Sequence, residues 1–347
     1  MSEILSLKTP VTYYGGKQKM VRHILPLIPA HNLYCEPFCG GAAVFFSKNP
    51  SPVEVLNDTN RELINFYRVV QSDFTSLEKE IQITLHSRDL FRKASVIYNN
   101  PDMFSELKRA WALWVLSSQG FAGKLDSSWG YEVARNCMAK KITNKKEAFT
   151  LDLAIRLQDV QVECADALYI ISSRDNQEAF FYVDPPYFNS NMGHYDGYSK
   201  EDFEGLLKLL SGIQGKFLLS SYPSDVLADY TAQYGWKTWS VEARVSVATS
   251  EYRTKKKIEM LTANYDLNGV LSHSGILCTF RSEKWYNLFC RLYYDNKKTM
   301  VRLSCRNGHF ICRIALLRKR NLPSGPAHSG AGRHSRRECL VHRPGYP

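Results

Sequence analysis

Ala179-Phe180-Phe181-Tyr182-Val183 runs directly into Asp184-Pro185-Pro186-Tyr187, and this junction sets the fold class. Five consecutive apolar or aromatic residues without polar alternation form the pattern of a strand buried on both faces, as in a parallel sheet covered by helices. Two prolines then end the strand, because neither supplies a ladder N–H and each restricts the residue before it. The product is a stiff turn that fixes its flanking side chains and exposes a carbonyl. Downstream, Ser199 and Asp202 have capping-box spacing, and Phe203, Leu206, Leu207 and Leu210 make one apolar helical stripe. Lys216 to Ser221 closes the unit as a further strand.

A matching block lies nearer the N-terminus. Leu33-Tyr34-Cys35 predicts a strand, Glu36-Pro37-Phe38-Cys39-Gly40-Gly41 a tight turn, and Ala42 to Phe46 the start of a helix. Val53 to Leu56 predicts the next strand, and Leu63, Phe66, Tyr67 and Val70 recur at helical spacing after it. Strands that alternate with helices imply a mostly parallel α/β sheet with helices on both faces. Between the blocks, from Val69 to Ile155, the chain turns helical and charge-rich, and it reads as an inserted subdomain. Trp111 and Trp114 read there as core, whereas Ser117 to Arg135 mixes glycine, aromatic and basic residues like a contact loop, with Lys124 and Arg135 as candidate nucleic-acid contacts.

The net charge of +11 would suggest a polyanion partner. However, residues 268–347 carry 15 Lys or Arg against 3 Asp or Glu, which leaves 30 basic and 31 acidic residues in 1–267. The excess therefore belongs to the C-terminal segment and says little about the body. That segment, basic and from Arg318 onward poor in apolar residues, is expected to be poorly ordered and to resemble an extension foreign to the rest. No apolar run is long enough for a membrane span, and Met1 to Pro10 lacks signal-peptide character, so the expected location is the cytoplasm, with no membrane partner. The 9 cysteines lack the framework of a small secreted domain, and Cys305, His309 and Cys312 lack the fourth ligand of a structural zinc site.

Two patterns carry chemistry. Glycines after the first strand let a ligand approach the backbone, and Asp58, 22 residues after Glu36, is placed to accept hydrogen bonds from ribose hydroxyls. The full pyrophosphate signature is missing, which suits a nucleoside cofactor without pyrophosphate. In the second pattern, Asp184 and the Pro185 carbonyl offer two acceptors to an aromatic amine, and Tyr187 offers a ring on which a heterocycle can stack. Such an amine is a poor nucleophile because its lone pair is delocalised, and two acceptors on its N–H groups favour the tetrahedral, nucleophilic form.

With these residues in family order, the chain resembles the Dam-type adenine-N6 DNA methyltransferases from Thr9 to Leu267. Tyr13-Tyr14-Gly15-Gly16-Lys17 is similar to the family's N-terminal cofactor motif, Glu36 to Gly41 to its methionine-binding turn, and Asp184-Pro185-Pro186-Tyr187 to its catalytic motif. The Leu218 to Tyr222 and Lys257 to Tyr265 segments resemble its closing strands. The resemblance implies a Rossmann-like S-adenosyl-L-methionine-dependent methyltransferase sheet over 9–68 and 156–267, with a mainly helical target-recognition subdomain over 69–155. It implies cofactor contacts at Tyr13, Lys17, Glu36, Pro37, Phe38, Gly40, Asp58, Asp166 and Asp184, and catalytic roles for Asp184, Pro185, Pro186 and Tyr187. It further implies double-stranded DNA as partner, a base extruded from the duplex, no metal, a monomer, and a possible cognate restriction endonuclease. One departure is Ala42, where the family's glycine cluster has a third glycine. A catalytic-cysteine mechanism is disfavoured, since Cys35 and Cys39 read as small buried side chains. RNA or a protein glutamine as acceptor, and a silent DNA-binding relative, are the competing readings.

Overall fold

The computed structural model describes residues 7–13, 15–133, 137–189, 198–244, 256–267, 276–280, 300–306 and 309–315. A single-turn helix α1 (Val21–Ile24) precedes strand β1 (Leu33–Glu36), helix α2 (Ala43–Ser47), β2 (Val53–Asn57) and α3 (Arg61–Ser72). Five helices follow: α4 (Phe74–Ile83), α5 (Arg88–Asn99), α6 (Glu106–Gln119), α7 (Cys137–Glu147) and α8 (Leu151–Leu157). The chain then alternates through β3 (Gln161–Glu163), α9 (Ala167–Arg174), β4 (Ala179–Val183), α10 (Lys200–Leu210), β5 (Lys216–Ser221) and α11 (Asp225–Tyr234), before β6 (Lys237–Arg244) and β7 (Lys256–Ala263).

These seven strands form one sheet in the order β3-β2-β1-β4-β5-β7-β6. All neighbours run parallel except β7, which is antiparallel to both β5 and β6. Strand β4 is buried at all five positions, and its side chains divide between the two faces as a period of two requires. Phe180 and Tyr182 join Tyr34, Leu56 and Leu218 in one core, while Phe181 and Val183 join Cys35, Val55 and Leu219 in the other. This double burial is why the strand's sequence shows no polar alternation. The predicted capping box of α10 is present, with the Asp202 N–H donating to Ser199 Oγ and the Ser199 N–H donating to Asp202 Oδ2.

The helical insert differs from its expected outline. Helices α3 and α8 run across the expected limits at 69 and 155, and one core joins Phe66 and Tyr67 to Phe74, Trp114 and Phe149. Residues 1–274 accordingly form a single compact unit. Arg109 on α6 donates two hydrogen bonds, of 2.9 and 2.6 Å, to the Glu62 carboxylate on α3 and fastens the insert to the sheet's own helix layer. Trp111 and Trp114 are core, as read from the sequence.

Most of the segment 268–347, expected to be poorly ordered, lies outside the described residues. The second unit, 275–347, contains strands β8 (Ile276–Phe280), β9 (Met300–Arg306) and β10 (His309–Ala315), paired antiparallel in the order β8-β10-β9. Val301, Leu303 and Cys305 alternate with polar residues, a strand period that the segment's net charge conceals.

Candidate active site

The chain leaves β1 towards β2 on one side and leaves β4 towards β5 on the other, so a crevice opens beyond the carboxyl ends of these two neighbouring strands. The two motifs read from the sequence begin at these ends. Glu36 is the last residue of β1, and Asp184 follows the last residue of β4.

The turn after β1 is held by its backbone. Gly40 has φ of +46°, and a Cβ there would stand 3.1 Å from the Tyr13 ring, so glycine is strongly favoured. Ala42 caps α2 in the left-handed region, at φ +50° and ψ +41°, a conformation that costs a non-glycine residue about 1–2 kcal/mol. Ala42, the departure from the family's glycine cluster, is therefore a point of strain. Asp58 Oδ2 accepts the Gly40 N–H at 3.0 Å and its Oδ1 accepts the Asn60 N–H at 3.0 Å. Each oxygen keeps a further lone pair for a ligand hydroxyl. Glu36 is buried, and its Oε1 accepts the Tyr34 hydroxyl at 2.6 Å and the Phe45 N–H at 2.7 Å. Burial outweighs these bonds and pushes its carboxyl up to about 8. Pro37 is buried and Phe38 half-buried beside it.

Asn57 ties this turn to the β3 end. Its side-chain amide donates to the Pro37 carbonyl at 2.8 Å and the Ala165 carbonyl at 3.0 Å, while its Oδ1 accepts the Ala165 N–H at 2.9 Å. Asp166 is thereby brought to the same edge, where it caps α9 by accepting the Leu168 and Tyr169 N–H groups. Facing it, Tyr198 packs edge-on against Phe38 with ring centroids 6.3 Å apart. Its buried hydroxyl has no partner among the described residues. Such an orphaned polar atom beside Phe38, in the field of Asp166, with the glycine turn and the unused lone pairs of Asp58, makes a donor and acceptor set that fits a nucleoside cofactor.

The β4 end is held by side chains instead. Lys17 Nζ lies 2.8 Å from Asp184 Oδ1 and 3.3 Å from Glu259 Oε1, and donates to the Gly15 carbonyl at 3.2 Å. The same ammonium stands 4.8 Å from the centroid of the Tyr187 ring. The Tyr187 hydroxyl contacts Asp184 Oδ1 at 3.2 Å and makes a short hydrogen bond to Glu259. Tyr222 meets the Tyr187 ring edge-on at 4.5 Å. Burial pushes the Asp184 carboxyl up to about 6, with Lys17 pulling it down and Glu259 pushing it up. For Lys17, burial works against the charge, but Asp184 and Glu259 outweigh it and hold the ammonium above its ordinary range. Pro185 is buried and Pro186 half-buried, which keeps this turn rigid between the strand and Tyr187.

The structure thus gathers Lys17, Glu36, Pro37, Phe38, Gly40, Asp58, Asp166, Asp184, Pro185, Pro186 and Tyr187 at one sheet edge. Tyr13 lies with them as the ring covering Gly40 and Gly41, its hydroxyl accepting from Asn60 at 3.2 Å. Lys124 sits half-buried after the α6 C-terminus, and Arg135 lies outside the described residues. Sequence reading missed Glu259, Asn57 and Tyr198. The signal for Glu259 was a charge at the register of two core residues, since Leu261 and Ala263 continue the same face of β7. Cys35 and Cys39 are buried free thiols, and burial pushes both up, away from nucleophilic thiolate.

Comparison with known proteins adds an independent line. The type II methyltransferase M1.LlaDCHI of Lactococcus lactis subsp. cremoris is 26% identical over 279 residues, covering 75% of this chain and 96% of that protein. The type II methyltransferase M.MjaIII of Methanocaldococcus jannaschii is 26% identical over 225 residues, covering 57% of this chain and 76% of its own. A DNA N-6-adenine-methyltransferase of Escherichia phage P1 is 27% identical over 197 residues, covering 55% of this chain and 25% of its own. The family model of the D12 class N6 adenine-specific DNA methyltransferases matches residues 13–243. With the sheet order, the glycine turn and the Asp184 to Tyr187 loop in their places, the chain belongs to the D12 class of N6 adenine-specific DNA methyltransferases.

Proposed function

We propose that this methyltransferase works on an adenine turned out of double-stranded DNA and placed against Asp184 and Tyr187. The observation that carries the proposal is the position of Asp184: at the carboxyl end of β4, across the crevice from the Gly40 turn, with its charge contested by Lys17 and Glu259. The Asp184 carboxylate and the Pro185 carbonyl accept the two N6 hydrogens, and Tyr187 stacks on the base. Asp184 is well suited to this work because its raised carboxyl is ionised at neutral pH yet can still take up a proton as the amine becomes substituted. Orientation of the amine supplies much of the acceleration.

S-adenosyl-L-methionine fits the opposite wall, where it supplies an activated methyl group on a sulfonium. Glu36, Pro37, Phe38 and Gly40 would hold its methionine end, Asp58 its ribose hydroxyls, and Asp166 with Tyr198 its adenine ring. Tyr13 and Lys17 close the pocket from the N-terminal side.

The DNA-facing surface centres on the insert, where Arg88 lies 5.0 Å from the Trp129 ring and 5.4 Å from the Tyr131 ring, and the two rings stack at 15°. Tyr131 is exposed. This pairing of a guanidinium with exposed aromatic surface suits phosphate and base contact, and Lys124 and Arg135 are further candidate contacts by their place in the sequence. A cognate restriction endonuclease is proposed as a partner, in line with the type II names of its relatives, and the enzyme is proposed to act as a monomer.

Incubation with methyl-labelled S-adenosyl-L-methionine and duplex DNA, RNA or protein tests the proposal. Label is expected at adenine N6 in duplex DNA; label confined to RNA or protein overturns it.

A further inference from the structure

Strand β7 carries Glu259, Leu261 and Ala263 on one face, and all three are buried. A carboxylate at such a position is costly unless it is paired and hydrogen-bonded. Glu259 has both kinds of partner. Lys17 stands 3.3 Å away and the Tyr187 hydroxyl donates to it. Both partners also touch Asp184, through the 2.8 Å ion pair and the 3.2 Å contact of the Tyr187 hydroxyl. A hydroxyl has one proton to donate, and Asp184 and Glu259 both lie within its reach. Lys17 likewise has three donors, and Gly15, Asp184 and Glu259 accept them.

We infer that Glu259 is a positioning residue for methyl transfer, holding the Tyr187 hydroxyl and the Lys17 ammonium so that Asp184 is left to the target amine. The inference rests on the reading of Asp184 and Tyr187 as the groups that meet the base. Without Glu259, Tyr187 turns its proton to Asp184 and Lys17 has no second anion, so both compete with the amine for the same carboxylate. With it, Lys17 stays anchored when Asp184 accepts the amine hydrogens, and the Tyr187 ring keeps its place. The groups facing Asp184 are Lys17 from the N-terminal motif, Glu259 from β7, Tyr187 from its own loop, Tyr182 from β4 and Glu36 from β1. Of these, Lys17 stabilises the charged carboxylate, while Glu259 and Glu36 oppose it. Neutralising Glu259 therefore lets Asp184 ionise at lower pH.

The test compares Glu259→Gln, Tyr187→Phe and the double variant in the full chain, with kcat, KM for DNA and the pH profile of kcat as readouts. Glu259→Gln is expected to lower kcat about tenfold or more, leave KM for DNA within about twofold, and move the acid limb of the profile to lower pH. In the Tyr187→Phe background the same substitution is expected to cost less, because one of the two contacts has already gone. An unchanged kcat with an unmoved acid limb overturns the inference, as does full additivity of the two substitutions. If Glu259→Gln fails to fold, Tyr187→Phe still decides: a wild-type kcat in that variant overturns the role. Asp184→Asn in parallel separates the two levels, since transfer at the wild-type rate by that variant would sink the catalytic reading itself.

Discussion

Two turns at neighbouring strand ends solve opposite problems. After β1 the backbone holds the shape: Gly40 and Ala42 adopt positive φ, and Asp58 is pinned by two backbone N–H groups. After β4 the side chains hold the shape, with one ammonium set between two carboxylates and one hydroxyl touching both. The first turn is a cradle whose shape is fixed before any ligand arrives. The second is a charge cluster whose members can exchange partners. A binding surface gains from the former, because little has to be reorganised on binding. A reacting site gains from the latter, because the carboxylate must release one partner to take another.

The strongest way to break this contrast is at Asp184. Asp184→Asn is expected to lower methyl transfer about 10²–10³-fold or more, with DNA affinity in a filter or gel assay staying within a few-fold. Equal loss of binding and transfer would show that the loop binds and does not catalyse. Lys17→Met comes next. It leaves two buried carboxylates without their cation, so the fold is expected to lose about 3 kcal/mol in denaturant melts. The acid limb of kcat should also move to higher pH. The sign follows from the cluster: Lys17 holds the raised Asp184 carboxyl down, and removing it sends the midpoint above about 6. A limb that stays in place would mean that Lys17 does not bear on the reacting carboxylate.

Smaller effects belong to the cradle. Asp58→Asn replaces one acceptor of the Gly40 and Asn60 N–H groups by a donor, and cofactor affinity measured by calorimetry is expected to fall about tenfold, the loss of roughly 1–2 kcal/mol. Its kcat at saturating cofactor should remain near wild type, and a kcat loss as large as that of Asp184→Asn would erase the distinction between the turns. Ala42→Gly should have the smallest effect, raising stability by about 0.5–1 kcal/mol through relief of the positive φ. A loss of stability there would mean that the Ala42 methyl contributes more by packing than its backbone costs.

Much of the fold was legible because its signals are local. The apolar run of β4, the prolines after it, the Ser199 cap and the stripe from Phe203 to Leu210 each depend on neighbours within a few residues. The insert's boundaries were less legible, because α3 continues past residue 69 and its burial comes from α6 and α8, which packing alone brings to it. Strands β9 and β10 were masked in reading by the segment's net charge, which is a composition and carries no period.

The amino-acid sequence by itself determined the strand and helix order, the glycine turn, the acid after β2 and the Asp184 to Tyr187 loop, since each follows from local sterics, periodicity or motif spacing. Tertiary structure alone decided that Glu259 shares Lys17 and Tyr187 with Asp184, that Asn57 joins the β1 and β3 ends, and that the Tyr198 ring meets Phe38 edge-on while its hydroxyl has no partner among the described residues. Those meetings depend on which strands become neighbours in the sheet, and β7 enters it between β5 and β6, away from its place in chain order. A short-range pattern carries no record of that choice.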